Sequence, residues 1–394
     1  MSAVSENEGG IPQQMTKDTT EGRILSWLES QYEKILGDVM DLVRSQSPST
    51  DKVLADQCGR EICRLMERRL GLAPTVYPQQ QYGDHLSFSW GETGPQILML
   101  AHFDTVWNRD QLPLRQEGDV LRGPGVFDMK SGLVSAVWAV NACEKLALPL
   151  NKRICFFFNS DEEVSSPSSR TIVEKLARES SAALCMEPAE SKTGNLKVAR
   201  KGVLKYVITL KGRAAHAGND IHLGVSAVEE AARQILYLHS LTDYQKGTTL
   251  NVGVVKGGTR PNIVAEQAVL ELDVRVETPR EGERIDRIIR QLKPSRPDIL
   301  LEVKPAGGRP PMEACDAALT LLDRAKESAK ALGFTVGGVL AGGGSDGNFT
   351  AAVGCPTLDG LGPVGEGAHA LTEQIDLKQF LPRIAMAAGL LLRL

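Results

Sequence analysis

Six side chains of the types that bind metal ions or carry protons are spread widely along this chain of 394 residues. In chain order they are His102, Asp128, Glu162, Glu163, Glu187 and His369. Two imidazoles and three carboxylates suit a pair of zinc ions that share one bridging carboxylate. The remaining glutamate, Glu162, suits a general base that takes the proton of an attacking water. These residue types predict a metal-dependent hydrolase.

The local motifs are weak one by one. AHFDTVW places Asp104 two residues after His102, where it can accept the second ring N–H and fix the tautomer. In GPGVFDMKSG, glycines let the backbone fold tightly around Asp128, whose two oxygens can each face one metal. Alone, either motif reads as an ordinary strand end or turn, so the prediction depends on their combination. In NSDEE, three consecutive acids repel one another, and nearby cations would offset that cost.

Alternating strands and helices place these residues. Apolar strands are predicted at 86–90, 96–104, 153–163 and 182–188. Helices are predicted at 24–46 with a start near Glu21, at 53–71, 131–147, 168–179 and 315–332, and near the C-terminus. This order predicts an α/β fold with a mixed, largely parallel sheet flanked by helices. His102, the Glu162–Glu163 pair and Glu187 each lie at or just past the carboxyl end of an apolar strand, where open α/β sheets bind ligands.

The pattern changes near residue 200. Between 201 and 306 the order is β-α-β-β-α-β, with helices at 224–241 and 282–293, which predicts an inserted ferredoxin-like α+β domain. The predicted layout is a disordered segment at 1–21, a catalytic domain in two parts, 22–200 and 307–394, and the inserted domain between them.

Bulk properties exclude several function classes. The net charge is -4, so no basic excess indicates a nucleic-acid partner. No apolar stretch reaches the length of a membrane span, and the polar N-terminus lacks the apolar region of a secretory signal. The seven cysteines form no CxxC pair, which argues against a thiolate zinc site. We therefore expect a cytoplasmic protein without a membrane partner.

Taken together, the motifs resemble the co-catalytic zinc peptidase–deacylase family, which includes bacterial glutamate carboxypeptidases, aminoacylases, and acetylornithine and succinyl-diaminopimelate deacylases. The resemblance covers roughly residues 22–394. The matching stretches, in family order, are MLAHFDTV, GPGVFDMKSG, NSDEE, CMEP, GRAAHAG, GGTRPNIV, LDVR, GGGSDGN and GAHA. The resemblance implies a fold of the zinc-exopeptidase type, with the inserted domain serving as a lid and dimerisation domain.

The resemblance also implies roles for single residues. Asp128 would bridge two zinc ions, with cobalt or manganese as alternatives. His102 and Glu187 would complete one metal site, and Glu163 and His369 the other. Glu162 would be the general base, Asp104 would orient His102, and the peptide bond after Asp128 would be cis.

In the inserted domain, the resemblance makes His216 of GRAAHAG an oxyanion donor that acts in the partner subunit of a homodimer. Asn262 and Arg275 would grip the free carboxylate or the oxyanion of the substrate. For Arg275, a surface ion pair on its strand is the structural alternative. Gly344 and Ser345 could offer backbone N–H groups to a carboxylate, with a flexible glycine turn as the alternative. Arg309 could be a further carboxylate partner, with an ordinary surface arginine as the alternative.

The predicted reaction is hydrolysis of an amide bond in a peptide or an N-acyl amino acid with a free carboxylate, closest to the glutamate carboxypeptidase-like branch. Glutamate-specific members place a lysine a few residues after the Glu-Pro pair. Lys192, Lys197, Arg200 and Lys201 follow here out of clear register, so the preference for glutamate stays open. An N-acyl amino-acid deacylase is the alternative within enzymes. A non-catalytic binding protein on the same fold is the alternative of another class, although it would be expected to lose Glu162 or a ligand.

Overall fold

The computed structural model describes residues 18–394. Most of the segment predicted to be disordered, 1–21, lies outside the described residues. At its end, Thr20 and Glu21 form the first turn of a helix, which agrees with the helix start predicted near Glu21. The Thr19 hydroxyl caps that helix by accepting a hydrogen bond from the N–H of Gly22, and the buried Glu21 is ion-paired with Arg393.

The structure contains ten α-helices and sixteen strands among these residues. The helices are α1 (Thr20–Ser30), α2 (Tyr32–Arg44), α3 (Lys52–Leu70), α4 (Ser131–Lys145), α5 (Arg170–Arg178), α6 (Ala227–Ser240), α7 (Pro279–Arg290), α8 (Asp316–Ala331), α9 (Gly347–Ala352) and α10 (Leu377–Arg393). The strands are β1 (Thr75–Tyr77), β2 (His85–Trp90), β3 (Gln96–His102), β4 (Arg115–Glu117), β5 (Val120–Arg122), β6 (Arg153–Asn159), β7 (Ala182–Cys185), β8 (Leu196–Arg200), β9 (Gly202–Lys211), β10 (Thr249–Gly257), β11 (Gln267–Val276), β12 (Leu300–Arg309), β13 (Gly338–Ala341), β14 (Thr357–Leu358), β15 (Gly365–Glu366) and β16 (Gln374–Asp376).

The chain folds into two compact units. The first comprises the chain up to Val198 together with Ala314–Val339 and Val353–Leu394. The second comprises Ala199–Glu313 and Leu340–Ala352, and so includes the whole predicted insertion together with α9.

A six-stranded mixed sheet forms the centre of the first unit, in the order β1-β2-β6-β3-β7-β14. Strands β6, β3, β7 and β14 run parallel, and β2 and β1 add antiparallel strands at one edge. The predicted mixed, largely parallel sheet is therefore confirmed. Because β6, β3 and β7 are parallel neighbours, their carboxyl ends meet at one edge of the sheet, where the metal-type residues follow them.

Helices cover this sheet and are built from apolar faces. The apolar run of α4 is buried almost throughout because it packs between other elements of the core. The single helix predicted at 24–46 is interrupted at Gln31, where the backbone leaves the helical region (φ -106, ψ 7). The interruption lets α1 bury Ile24 and Leu28 while α2 buries its own apolar stripe, which includes Val39 and Leu42.

The second unit contains a four-stranded antiparallel sheet in the order β10-β11-β9-β12, with α6 and α7. The chain order β9-α6-β10-β11-α7-β12 and this pairing are those of a ferredoxin-like fold, as the sequence predicted. A separate apolar cluster, including Ile208, Leu270 and Ile285, forms its core.

Candidate metal centre

The side chains predicted as metal ligands converge at the carboxyl edge of the central sheet. His102 ends β3, while Glu163 and Glu187 lie a few residues past β6 and β7. Close packing helps to place Glu187, because at Gly132 of α4 a Cβ atom would overlap the carbonyl oxygen of Met186. His369 lies in the loop between β15 and β16, with a positive φ of 63°.

Asp128 lies between the two histidines. Its Oδ1 is 3.1 Å from Nε2 of His102, and its Oδ2 is 3.4 Å from Nε2 of His369. Glu187 Oε1 lies 3.7 Å from Nε2 of His102, and Glu163 Oε2 lies 3.1 Å from Nε2 of His369. These side chains are grouped as the resemblance implied, with one Asp128 oxygen on each side, and their role as metal ligands stays a prediction. The Asp128–Met129 peptide bond is cis, also as implied.

Glu162 lies close to this cluster. Its carboxylate, one His102 ring nitrogen and a Glu187 carboxylate oxygen lie within 4.8 Å of one another, and an equally compact group joins His102, Asp128 and Glu163. A side chain at this position can reach a water molecule held between the ligand groups, as a general base requires.

The charges of the cluster suit divalent cations. Hydrogen bonds to Asp128 and Glu163 raise the pKa of His369 to about 10. Burial lowers the pKa of His102, but hydrogen bonds to Asp104 and Asp128 outweigh burial and raise it well above its usual value. Burial, with the nearby Asp128, raises the pKa of Glu163. Carboxylates packed this closely need positive charge, which protonated imidazoles supply here and metal ions would supply in their place. The residues therefore fit a two-metal site.

Asp104 has a wider role than the predicted one. The nearer partner of His102 Nδ1 is the backbone carbonyl oxygen of Asp104, at 3.0 Å, and the carboxylate is at 3.4 Å. Both contacts place the proton on Nδ1 and leave Nε2 for a metal. The carboxylate accepts hydrogen bonds from the N–H groups of Glu162 (3.2 Å) and Glu163 (3.1 Å), and from the Ser49 hydroxyl (2.7 Å). Asp104 thus anchors both the first histidine and the two glutamates.

Asp161 differs from its two acidic neighbours. It is buried and accepts hydrogen bonds from the N–H and hydroxyl groups of Ser168 and Ser169. The expectation that all three acids of NSDEE need cations is therefore wrong for Asp161, whose charge is compensated by these donors at the start of α5.

Two buried charged residues near the cluster, one carboxylate and one ammonium group, were not predicted from the sequence. Glu373 is buried and accepts backbone N–H groups from the loop that carries Asp128. Lys130 is buried and donates to the carbonyl oxygens of Leu42 and Ser45. Position alone gave no signal for either residue, although a charged side chain beside a ligand motif is a reason to ask what it contacts.

His216 and Asn262 belong to the second unit and are neighbours there. The N–H of Ala217 donates to the carbonyl oxygen of Asn262. Nδ1 of the exposed His216 accepts from the N–H groups of Gly218 (3.2 Å) and Asn219 (3.1 Å). An accepting Nδ1 places the proton on Nε2, so the ring can donate a hydrogen bond from that atom.

The other residues of the second unit that were predicted to contact substrate form hydrogen bonds or ion pairs with neighbouring residues of that unit. Arg275 forms a two-bond ion pair with Asp273, at 2.6 and 3.0 Å, which is the structural alternative named for it. Arg309 is buried and ion-paired with Asp346 at 2.5 Å. The Ser345 N–H donates to Asn348 Oδ1 rather than to a ligand, so the expectation is wrong for Ser345, and for Gly344 it stays a prediction.

The four basic residues that follow the Glu-Pro pair have separate positions. Lys197 lies on β8, and its N–H donates to the carbonyl oxygen of Asp359. Lys192 is exposed on a turn. Arg200 is buried and donates to the carbonyl oxygen of Gly343. Lys201 donates to the carbonyl oxygen of Gly247.

Among residues 18–394, none of the helices combines the length and hydrophobicity that a bilayer span requires.

Comparison with known proteins places this architecture in a family. Residues 98–393 match the model of the Peptidase family M20/M25/M40. Carboxypeptidase G2 from Pseudomonas sp. (strain RS-16) is 29% identical over 311 residues, which cover 77% of this chain and 75% of the relative. Succinyl-diaminopimelate desuccinylase from Acinetobacter baylyi is 26% identical over 347 residues, which cover 81% and 89%.

A crystal structure of an M20 family metallo-carboxypeptidase from Sulfolobus solfataricus shares the fold with a TM-score of 0.73 at 16% identity, covering 91% of this chain and 98% of that one. The chain belongs to the peptidase family M20/M25/M40, the metal-dependent hydrolases of peptide and amide bonds.

Proposed function

We propose that this protein is a di-zinc hydrolase that removes a carboxylate-bearing residue from a peptide, as a glutamate carboxypeptidase does. The observation that carries the proposal is the arrangement of Asp128, which turns one oxygen to His102 and the other to His369. The match to Carboxypeptidase G2 over most of both chains supports the carboxypeptidase branch.

Each residue of the cluster has a defined task in this reaction. His102, Asp128 and Glu187 would hold one ion, and His369, Asp128 and Glu163 the other. The ions, when bound, supply Lewis-acid polarisation and lower the pKa of water toward about 7.

Glu162 takes the proton of the water that attacks the amide carbonyl and returns it to the leaving nitrogen. Asp104 keeps the Glu162 backbone in place during this transfer through its hydrogen bond to the Glu162 N–H.

His216 is proposed as the donor to the oxyanion. Its Nδ1 accepts two backbone N–H groups, so its Nε2–H is available where negative charge develops. Loss of one such donor typically lowers the rate by about 10²–10³-fold. Asn262 and Arg275 remain proposed contacts for the substrate carboxylate, and for Arg275 this requires exchange of the ion pair with Asp273.

Substitution of Glu162 by glutamine tests the catalytic assignment. The variant keeps the shape and the backbone contacts of the residue, so we expect metal content to persist while kcat falls by about 10²–10⁴-fold. Glu179→Gln, the same change at an exposed position of the same unit, is the matched control. Full activity in Glu162→Gln with two bound metals would refute the assigned base.

An N-acyl amino-acid deacylase is the second candidate, favoured by the match to a desuccinylase over 89% of that relative. The metal chemistry is the same, and only the pocket differs. A panel that contains peptides ending in glutamate and N-acylated amino acids, with zinc-, cobalt- and manganese-loaded enzyme, separates the two by kcat/KM. Faster turnover of the N-acyl substrates would favour the deacylase.

We also propose a cytoplasmic homodimer formed through the second unit. Strand β10 is an edge strand that exposes Val254 and Val255, and α6 exposes Leu236 and Tyr237. An unprotected edge with apolar side chains is a surface that a second copy can pair with. Val255→Lys should yield monomers in light scattering, whereas Leu300→Lys on β12, the opposite edge, should leave the dimer intact. Dimeric Val255→Lys would contradict this interface.

A trans role of His216 is testable by mixing two inactive variants. In a mixed dimer of Glu162→Gln and His216→Ala subunits, one site would combine an intact Glu162 with the intact His216 of the other subunit. Activity should return upon mixing if His216 acts in trans. Active wild-type monomers, or no recovery in dimers shown to be mixed, would argue against this arrangement.

A further inference from the structure

The carboxylate of Glu373 is 1% exposed and accepts four hydrogen bonds. Its Oε1 accepts from the N–H groups of Phe127 (2.9 Å) and Asp128 (3.1 Å). Its Oε2 accepts from the N–H of Gly125 (3.1 Å) and from Nε1 of Trp107 (2.5 Å). Both oxygens are therefore used, and three of the four donors belong to the loop that presents Asp128.

This loop depends on an acceptor from outside. Gly125 has a positive φ of 72°, and Asp128 and Met129 have non-helical dihedrals within the turn. Backbone N–H groups in such a segment lack the regular partners of a helix or sheet, and leaving them buried without an acceptor is costly. The Glu373 carboxylate satisfies three of them at once, which fixes the direction in which the Asp128 side chain leaves the loop.

Glu373 is also linked to the second histidine. It follows His369 by four residues, and its N–H donates to the carbonyl oxygen of Ala370 at 2.8 Å, which closes the turn. Directly after Glu373, β16 pairs with β5. One carboxylate thus connects the Asp128 loop to the His369 turn, on the side of the cluster where Asp128 Oδ2 lies 3.4 Å from His369.

We propose that Glu373 is a positioning residue that fixes Asp128 relative to His369 and thereby controls occupancy of the metal site formed by Asp128, Glu163 and His369. The other site depends on it less, because Asp104 and β3 fix His102 independently. The inference rests on the proposed two-metal function and adds an asymmetry to it, in which the second binding step is the sensitive one.

Chemistry distinguishes this role from simple packing. Glutamine has nearly the same volume as glutamate, but its NH₂ group would face two N–H donors, whichever way the amide is turned. A residue that only fills space would tolerate the change. A residue that holds four donors would not, and the loop would shift.

Titration of metal-free protein with Co²⁺ tests the proposal, with calorimetry for stoichiometry and visible absorption for the ligand environment. In Glu373→Gln we expect a first binding step near that of the wild type and a second step weakened by about 10–100-fold. Glu281→Gln, which alters another buried glutamate that accepts several hydrogen bonds, is the matched control in the second unit and should bind like the wild type. An unchanged second step, or equal weakening of both steps, overturns the proposal.

Trp107→Phe provides a second test if Glu373→Gln fails to fold. It removes one donor to Oε2 and leaves the carboxylate in place. We expect the second step to weaken by about threefold to tenfold, with the first step unaffected. No change in the second step overturns the proposal. Because the readout is metal binding, it is separate from the turnover assay of Glu162→Gln, and either proposal can fail without the other.

Discussion

The Asp104 carboxylate offers a sharp test of how the metal centre is held. It is fully buried and contacts four donors: the N–H groups of Glu162 and Glu163, the Ser49 hydroxyl and His102 Nδ1. Asparagine at this position keeps one acceptor oxygen and replaces the other by an NH₂ group. The geometry determines which of these contacts can survive the substitution.

The amide oxygen is best placed toward the N–H of Glu162 and Nδ1 of His102. The NH₂ group then faces Ser49, whose hydroxyl can accept instead, and the N–H of Glu163, which cannot. A buried donor without a partner costs about 1–3 kcal/mol. Expressed as an equilibrium, this corresponds to roughly 5- to 150-fold.

We therefore expect Asp104→Asn to weaken metal binding by about 10–100-fold, with the larger effect on the site that uses Glu163. His102 should retain its tautomer, because the backbone carbonyl of Asp104 still accepts from Nδ1 at 3.0 Å. The assay is competition with a chelator of known affinity, followed by kcat at saturating metal. Ser49→Ala is the control. It removes one hydroxyl donor, which contacts Asp104 at 2.7 Å and the carbonyl oxygen of Thr105 at 3.3 Å, and its loss should cost about 1 kcal/mol or roughly fivefold.

Wild-type metal affinity in Asp104→Asn would refute this reasoning, because the acceptor count would then be irrelevant. An equal loss in Ser49→Ala would also refute it, since the hydroxyl would carry the effect attributed to the Glu163 N–H.

Two further predictions concern charge. The raised pKa values of His102 and His369 mean that both imidazoles are protonated in the metal-free protein near neutral pH. Metal binding should therefore release protons, and the apparent metal affinity should rise as the pH increases toward about 10. Calorimetry in two buffers of different ionisation enthalpy measures the proton release, and identical heats of binding in the two buffers would contradict it. Asp346→Asn should destabilise the second unit by up to about 3–5 kcal/mol, because it removes the carboxylate charge that lies 2.5 Å from the buried Arg309 guanidinium. Denaturant unfolding measures this change, and an unchanged midpoint would show that the pair contributes little.

Residue types and strand ends were sufficient to predict that several metal-type side chains meet at one edge of the sheet. His102 and Glu187 follow strands whose apolar character is evident from the sequence, and parallel strands bring their carboxyl ends together. The ferredoxin-like order of the second unit could also be predicted from the sequence, because the spacing of apolar residues in each element is typical of a helix or of a strand. Strong local patterns combined with a general rule of topology therefore predicted the fold and the meeting of His102, Glu163 and Glu187 at one edge of the sheet, while their role as metal ligands stays a prediction.

The supporting contacts were not readable in this way. Glu373 lies in an ordinary polar stretch, LTEQ, and its importance comes from a loop about 245 residues earlier in the chain. Ser49 contacts Asp104 only because the segment after α2 is bridged to Thr105. The interruption of the first helix at Gln31 also has no breaker residue to mark it, because it follows from how two apolar faces meet the core.

These unpredicted contacts explain how so many acids can share one region. Asp104, Asp161 and Glu373 are buried carboxylates that accept hydrogen bonds mainly from N–H and O–H donors. For Glu373 burial outweighs these donors and raises the pKa to about 7. The acids left to balance are the ligands, and in this cluster the positive charge that faces Asp128 comes from imidazoles that lose their protons when metal binds. We therefore expect divalent cations to be drawn to the carboxylates of Asp128, Glu163 and Glu187, because the surrounding acids already accept hydrogen bonds from backbone and side-chain donors.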